Sequence, residues 1–238
     1  MYQYKTFISN NDVDFRFELK VTAIFRLFQD AAMLATQDRK ADSISLAKRN
    51  IDWVITRMDV EIIRLPKCNE EITIITYPGK DLMMVYPRHF LIKDQQGTII
   101  IRASSLWALI DATTRKVLTG RDVISRLEPE TTKEELPLPS KILMPEEKYY
   151  FGQKVIRYSD IDFNCHMNNV RYVELLMDVN DFTFYKSNRP SLISLNYIKE
   201  IKEKDTVNVF TNGVNPQYVE VQVDNSPSFI GKVTFVER

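Results

Sequence analysis

Hydrophobic and polar positions predict the same order of elements twice along the chain. In the first half, apolar residues within 23–37 recur at the three- and four-residue spacing of one helical face, which predicts an α-helix of about four turns. An alternating run at 15–19 precedes this helix and predicts a strand. Turn-forming residues separate the β-type runs that follow, which lie at 53–63, 71–77, 86–93 and 98–110.

The second half repeats this order in a shorter form. A strand around 154–158 leads into a polar loop, and the next apolar face predicts a helix from about 169 to 185. Charged residues and prolines dominate the stretch between the halves and oppose a regular sheet there. The pattern therefore predicts domains at 1–124 and 149–238 joined by a linker at 125–148, and later strands at 192–199, 206–211, 218–223 and 229–236.

Composition narrows the range of functions without naming one. The 238 residues suffice for two small domains, and the 32 basic and 32 acidic residues give a net charge of zero. Nothing global therefore favours nucleic acid or an anionic membrane, and we find no apolar segment long enough for stable membrane insertion. Cys68 and Cys165 lack the spacing of a metal or redox site. We expect a soluble cytoplasmic protein without a metal or cofactor.

The polar loop of the second half carries the strongest chemical signal. Asp162, Asn164 and His166 alternate, so in an extended loop their side chains project to the same side. They precede a helix N-terminus, which favours developing negative charge. The pattern indicates chemistry at a carbonyl group. Asn168 and Asn169 come next and are predicted to cap the helix.

Other interpretations of this loop have weaker support. Asp160 and Asp162 could bind a metal together with His166, but no further ligand stands at a recognisable spacing. Cys165 could act as a nucleophile with His166, yet adjacent residues of an extended loop point to opposite sides. His89 lies inside a strand-like run and is predicted to be structural. The chain contains neither a Gly-x-Ser-x-Gly elbow nor a glycine-rich phosphate loop.

The run 158–172 resembles the active-site segment of acyl-ACP thioesterases, plant and bacterial fatty-acyl enzymes built as a tandem of two hot-dog domains. The resemblance covers most of the chain, and its Asp-x-Asn-x-His-x-Asn-Asn core is specific. It implies an α+β double hot-dog fold, an antiparallel sheet with long helices packed against one face. Further matching segments are 28–32, 53–57, 64–66 and 105–111 in the first half and 195–200 in the second.

The resemblance also implies an activity. The expected reaction is hydrolysis of the fatty acyl thioester on acyl carrier protein, which ends chain elongation in fatty acid biosynthesis. Carried over by position, the catalytic residues are Asp162, Asn164, His166 and Glu200. Glu200 could be the general base for water, with His166 and Asn164 polarising the carbonyl and Asp162 orienting them. Alternatively, His166 is the base and Glu200 positions it.

Substrate contacts follow from the same resemblance. The first-domain helix is expected to wall an apolar acyl tunnel, and the acidic carrier protein is expected to dock on local positive charge. The tandem arrangement weakens the need for a homodimer but allows one. An acyl-CoA thioesterase and a non-catalytic hot-dog protein that binds acyl chains or carrier protein remain alternatives. Candidate tunnel residues are Leu27, Phe28, Ala31 and Leu34, and candidate docking residues are Lys186, Arg189, Lys199, Lys202 and Lys204.

Overall fold

A computed structural model describes residues 1–238, which form two compact units, Met1–Pro139 and Ser140–Arg238. Each unit contains one antiparallel set of strands and its own helices. The elements of the first unit are β1 (Tyr2–Phe7), α1 (Val21–Gln37), α2 (Ser43–Ala47), β2 (Ile51–Ile62), β3 (Glu71–Pro78), β4 (Tyr86–Lys93), β5 (Ile99–Asp111), β6 (Val117–Leu118) and α3 (Arg121–Ile124).

The first unit confirms the predicted helix and meander. Its strands lie in the order β1-β3-β4-β5-β2, every neighbouring pair is antiparallel, and β6 pairs with β5. The apolar face of α1 is buried, and Phe28 stacks on Phe90 of β4 with ring centroids 4.6 Å apart. Among the candidate tunnel residues Leu27, Phe28 and Ala31 are buried, whereas Leu34 is exposed. The periodicity therefore identified the packing face of this helix.

The strand predicted at 15–19 is wrong, because this segment forms a turn. The Asp14 carboxylate accepts hydrogen bonds from the backbone N–H groups of Arg16, at 2.8 Å, and Glu18, at 3.2 Å. Phe17 adopts a left-handed backbone with φ of 59°, and its side chain is exposed. A short acidic side chain that captures nearby N–H groups stabilises a turn against a strand ladder.

The second unit packs two helices against a small antiparallel sheet. Its strands lie in the order β8-β11-β10-β9-β7. On the helix side of this sheet, Gly231 allows close packing, because a Cβ atom there would lie 2.8 Å from Leu176 Cδ1. The elements are β7 (Tyr149–Val155), α4 (Asn169–Met177), α5 (Phe182–Ser187), β8 (Asn188–Tyr197), β9 (Thr206–Asn212), β10 (Gln217–Val223) and β11 (Ser226–Glu237).

Two predicted boundaries in this unit are wrong. The single helix expected over 169–185 is divided into α4 and α5, because α4 ends at Met177 and Asp181 starts a new helix. The Asp181 carboxylate accepts the backbone N–H of Phe184 at 2.8 Å, which is N-cap geometry. The strand expected over 154–158 instead ends at Val155, and a 3₁₀ turn follows at Tyr158–Asp160.

The division between the units falls inside the segment predicted as a linker. Up to Pro139 this segment belongs to the first unit, where the N–H of Glu130 donates to the Pro78 carbonyl at 2.9 Å. In the second unit, Asn196 Nδ2 donates to the Ile142 carbonyl at 3.3 Å. No helix of the structure is both long enough and apolar enough to span a membrane.

Candidate active site

The candidate site is a closed turn between β7 and α4. The N–H of Asp162 donates to the His166 carbonyl at 2.9 Å, and the N–H of Cys165 donates to the Asp162 carbonyl at 3.0 Å. Ile161 and Met167 form a β-bridge that closes the base of the turn. The extended loop assumed from the sequence is therefore wrong. The hydrogen bonds of the turn set the positions of Asp162, Asn164 and His166. The alternation of side chains along an extended strand does not.

Asp162 stabilises this turn from within. Its carboxylate accepts the N–H of Asn164 at 2.9 Å. Burial raises the pKa of Asp162, although the backbone N–H groups of Asn164 and His166 and the nearby His166 side chain act in the opposite direction. The carboxyl group thus fixes the backbone of Asn164, one of the residues that were predicted to contact the substrate.

The turn brings His166 to Glu200, which follows β8 in sequence. His166 Nε2 lies 3.2 Å from Glu200 Oε2, within hydrogen-bond distance. The N–H of Met167 also donates to the Ile201 carbonyl at 2.8 Å, so the residues after His166 and Glu200 are joined by their backbones. The His166 side chain is 18% exposed and that of Glu200 36% exposed, so both reach solvent.

Asp160 anchors the start of the same turn and has a different environment. Its carboxylate accepts hydrogen bonds from Lys154 Nζ at 2.8 Å and from the N–H of Arg157 at 2.9 Å, and its carbonyl accepts the N–H of Asn168. Burial by itself raises the pKa of Asp160, but these two donors outweigh burial and hold the pKa below its ordinary value. Asp160 is therefore a charged structural anchor.

The structure bears on the metal, thiol and capping interpretations of this loop. No group of three or more His, Cys, Asp or Glu side chains is arranged to hold a metal ion, and Asp160 is bound to Lys154. Cys165 carries a free thiol on an exposed position of the turn, with a left-handed φ of 63°. Asn168 caps α4, as predicted, because its Oδ1 accepts the N–H of Val170 at 2.9 Å.

Models of known protein families match both halves of the chain. A model of the acyl-ACP thioesterase N-terminal domain matches residues 1–126, and a model of the corresponding C-terminal domain matches residues 144–230. The chain belongs to the acyl-ACP thioesterase family. Both halves of the resemblance given by the sequence motifs are thereby confirmed.

Curated relatives in the family are distant in sequence. The chain is 25% identical to oleoyl-acyl carrier protein thioesterase 2, chloroplastic, of Arabidopsis thaliana over 237 residues, which cover 92% of this chain and 64% of that protein. It is 23% identical to the dodecanoyl-[acyl-carrier-protein] hydrolase, chloroplastic, of Cinnamomum camphora over 194 residues, 76% of this chain and 51% of that protein. The chain therefore spans about half to two thirds of their length.

Solved structures of acyl-ACP thioesterases share the fold over nearly the whole chain. An acyl-ACP thioesterase from Bacteroides thetaiotaomicron VPI-5482 superposes with a TM-score of 0.88 at 26% identity and covers 99% of this chain and 97% of its own. A 12:0-ACP thioesterase from Umbellularia californica has a TM-score of 0.85 at 19% identity and covers 100% and 97%. The predicted α+β double hot-dog class is confirmed.

Sequence reasoning missed an aromatic cluster formed by α4, the helix that follows the candidate turn, with β8 and β11. Tyr172 of α4 is 3% exposed and lies against Tyr197 of β8 and Phe229 of β11, with ring centroids 5.4 and 5.2 Å away. Burial raises the pKa of Tyr172. The only sequence signal was a tyrosine inside an amphipathic helix, which is ordinary in a protein core.

Proposed function

We propose that this chain hydrolyses the thioester between a fatty acyl chain and the phosphopantetheine arm of acyl carrier protein, releasing free fatty acid and the carrier. The contact between His166 and Glu200 at 3.2 Å carries the proposal, because it pairs a proton acceptor with a polar group beside a solvent-accessible turn. Membership of the acyl-ACP thioesterase family supports the choice of substrate. The names of the relatives, an acyl carrier protein thioesterase and an acyl-carrier-protein hydrolase, support the same substrate.

Glu200 is the general base of this proposal. Its side chain is more exposed than that of His166, so one carboxylate oxygen can bind a water molecule while the other faces His166 Nε2. The carboxylate takes a proton as the water oxygen attacks the carbonyl carbon of the thioester. General base catalysis of this kind typically contributes about 10²–10⁴ in rate.

His166 and Asn164 stabilise the oxyanion that forms when water adds. Asn164 can donate a hydrogen bond to the carbonyl oxygen through its side-chain amide, and His166 can donate one through Nδ1–H, since its Nε2 faces Glu200. Asp162 holds the backbone of Asn164 through its carboxylate. The N-terminus of α4, which begins three residues after His166, adds a favourable partial positive charge. Stabilisation of the developing charge lowers the barrier for addition.

Collapse of the tetrahedral intermediate completes the reaction. The carbon–sulfur bond breaks, the pantetheine sulfur leaves, and the proton held by Glu200 passes to the sulfur. Water is thus the nucleophile, and no covalent acyl-enzyme is needed. Cys165 takes no part in these steps, since it stands on an exposed position of the turn.

The proposed reaction requires a partner protein that carries the substrate. Acyl carrier protein carrying the phosphopantetheine-linked acyl chain is the partner, with Lys199, Lys202 and Lys204 as docking candidates. All three are exposed and follow β8 near Glu200. Cytoplasmic location and a homodimer stay predictions.

A release assay tests the proposal. Purified protein is given acyl-ACP of several chain lengths and matched acyl-CoA, and free fatty acid is measured for the parent, Glu200→Ala and His166→Ala. Each substitution should reduce kcat/KM by about 10²-fold or more. Glu203→Ala is the matched control, because Glu203 is an exposed carboxylate three residues from Glu200.

The outcomes separate the alternatives. Losses within about threefold for both variants, under 1 kcal/mol in barrier, would make the site assignment wrong. A strong preference for acyl-CoA would instead support the acyl-CoA thioesterase. Acyl binding without any turnover would support the non-catalytic binding protein. If only His166→Ala abolished turnover, His166 would be the base and Glu200 its positioning group.

A further inference from the structure

Arg171, in the first turn of α4, reaches back to the segment that precedes the catalytic turn. This turn runs from Asp160 to Asn168, and the backbone N–H of Asn168 donates to the Asp160 carbonyl at 2.9 Å. The Arg171 Nη2 atom donates to the carbonyl of Ser159, just before the turn, at 3.1 Å. One side chain therefore joins the residue before the turn to the helix after it.

The guanidinium group of Arg171 is held in a fixed orientation. Its Nη1 atom lies 2.6 and 2.9 Å from the two carboxylate oxygens of Glu174, three residues further along α4. Its Nε atom lies 3.9 Å from Asp160 Oδ1, and the same oxygen accepts a hydrogen bond from Lys154 Nζ at 2.8 Å. Arg171 thus lies between two carboxylates, one on its own helix and one at the start of the turn. A planar group held along several edges has little freedom to turn away from Ser159.

The contact between His166 and Glu200 depends on both ends of this turn. His166 Nε2 lies 3.2 Å from Glu200 Oε2. The N–H of Met167 donates to the Ile201 carbonyl at 2.8 Å, which ties the far end of the turn to the segment that carries Glu200. Arg171 ties the near end to α4. If the near end separates from α4, the turn can open and the imidazole can move, and a misplacement of about 1 Å can cost about 10²-fold in rate.

We propose that Arg171 is a positioning residue that keeps the catalytic turn closed, so that His166 stays at hydrogen-bond distance from Glu200. The proposal rests on the proposed function, since it assigns a part to the same site. The Arg171 side chain is 36% exposed and that of Glu174 is 32% exposed, so solvent screens this ion pair and the pair adds little to global stability. Loss of Arg171 should therefore show in catalysis rather than in folding.

Arg171→Gln tests the proposal, because glutamine removes the guanidinium group and is too short to keep the contacts with both Ser159 and Glu174. Arg157→Gln is the matched control. Arg157 is an exposed cation two residues before Ser159, and this change removes the same charge while leaving the contact between Ser159 and α4 in place. The pair of variants separates the loss of a charge near the turn from the loss of the connection across it.

Steady-state hydrolysis of acyl-ACP gives the first readout. Arg171→Gln should lower kcat by about tenfold with KM within about twofold of the parent, as expected when geometry rather than binding is lost. Arg157→Gln should keep kcat within about twofold. If Arg171 only attracted the acidic carrier protein, its loss would raise KM and leave kcat unchanged, and this result would overturn the proposal. Equal losses of kcat in the two variants would overturn it as well.

Amide hydrogen exchange measured by NMR gives a second readout that does not depend on turnover. The backbone N–H groups of Asp162, Met167 and Asn168 donate to the carbonyls of His166, Ile201 and Asp160, so their exchange reports how often the turn opens. Arg171→Gln should speed exchange at these three amides by about tenfold and leave the amides of β10 and β11 unchanged. Unchanged exchange at all three amides would overturn the positioning role.

The two readouts distinguish a failure of this proposal from a failure of the proposed function. A parent protein that does not hydrolyse acyl-ACP refutes the proposed function, and amide exchange still tests whether Arg171 closes the turn. Unchanged exchange in Arg171→Gln refutes the positioning role even when the parent is active. The Tm of both variants should stay within about 4 °C of the parent, and a larger decrease for Arg171→Gln would indicate a general structural role and overturn the proposal.

Discussion

Asp160 and Asp162 stand two residues apart in one turn, yet their environments predict opposite consequences when each is changed to asparagine. Asp160 is buried and charged, with Lys154 Nζ at 2.8 Å and the N–H of Arg157 at 2.9 Å. Asp162 accepts the backbone N–H of Asn164 at 2.9 Å, which an asparagine oxygen can still accept. We therefore expect Asp160→Asn to lose stability and Asp162→Asn to keep it.

The magnitude for Asp160→Asn follows from its two donors. A hydrogen bond to a charged group contributes about 1.5–3 kcal/mol, but the Lys154 side chain is 35% exposed, so solvent screens that pair. The amide of asparagine keeps one acceptor for Arg157 and presents an NH₂ group to Lys154. The expected loss is about 2–3 kcal/mol in the free energy of unfolding, or about 5–10 °C in Tm.

The pH dependence has a definite sign. Because the pKa of Asp160 is lowered in the folded protein, its contribution is present above the ordinary pKa of 3.8 and is lost as pH falls through the folded pKa. Asp162 is the reverse case, since its pKa is raised. Its ionised form opposes folding at neutral pH, so Asp162→Asn should be at least as stable as the parent at pH 7, with any gain vanishing below pH 3.8.

Urea denaturation of the parent and both variants between pH 3 and 7 measures these differences, with acyl-ACP hydrolysis as the second assay. The deficit of Asp160→Asn should be constant from about pH 7 to 5 and should shrink below the ordinary pKa of the carboxyl. An Asp160→Asn protein as stable as the parent at pH 7 would refute the reasoning. So would a deficit that persists unchanged at pH 3.

Two further predictions concern single positions. Cys165→Ser should retain acyl-ACP turnover within about twofold, because the exposed thiol takes no part in the proposed reaction, and a loss of about 10²-fold would revive a thiol nucleophile. Gly231→Ala should cost about 1–3 kcal/mol in urea denaturation, since the new Cβ would lie 2.8 Å from Leu176 Cδ1. An alanine variant as stable as the parent would show that α4 can shift without cost.

Local patterns predicted much of the fold. The apolar spacing of α1 and the β-type runs of β3 and β4 were sufficient, because each buries one face or a continuous run against its own unit. The local patterns gave wrong elements where a short polar side chain competes for backbone N–H groups. Asp14 turns a strand-like run into a turn, and Asp181 divides a helix.

For the candidate site, the sequence by itself determined which residues are present and which family they resemble. The spacing of Asp162, Asn164 and His166 suggested one shared side, but the reason was wrong, because a hydrogen-bonded turn places them. Only the tertiary structure decided that Glu200 meets His166 and that Tyr172 packs against Tyr197 and Phe229. Contacts between residues far apart in sequence depend on packing and burial, which local periodicity does not encode.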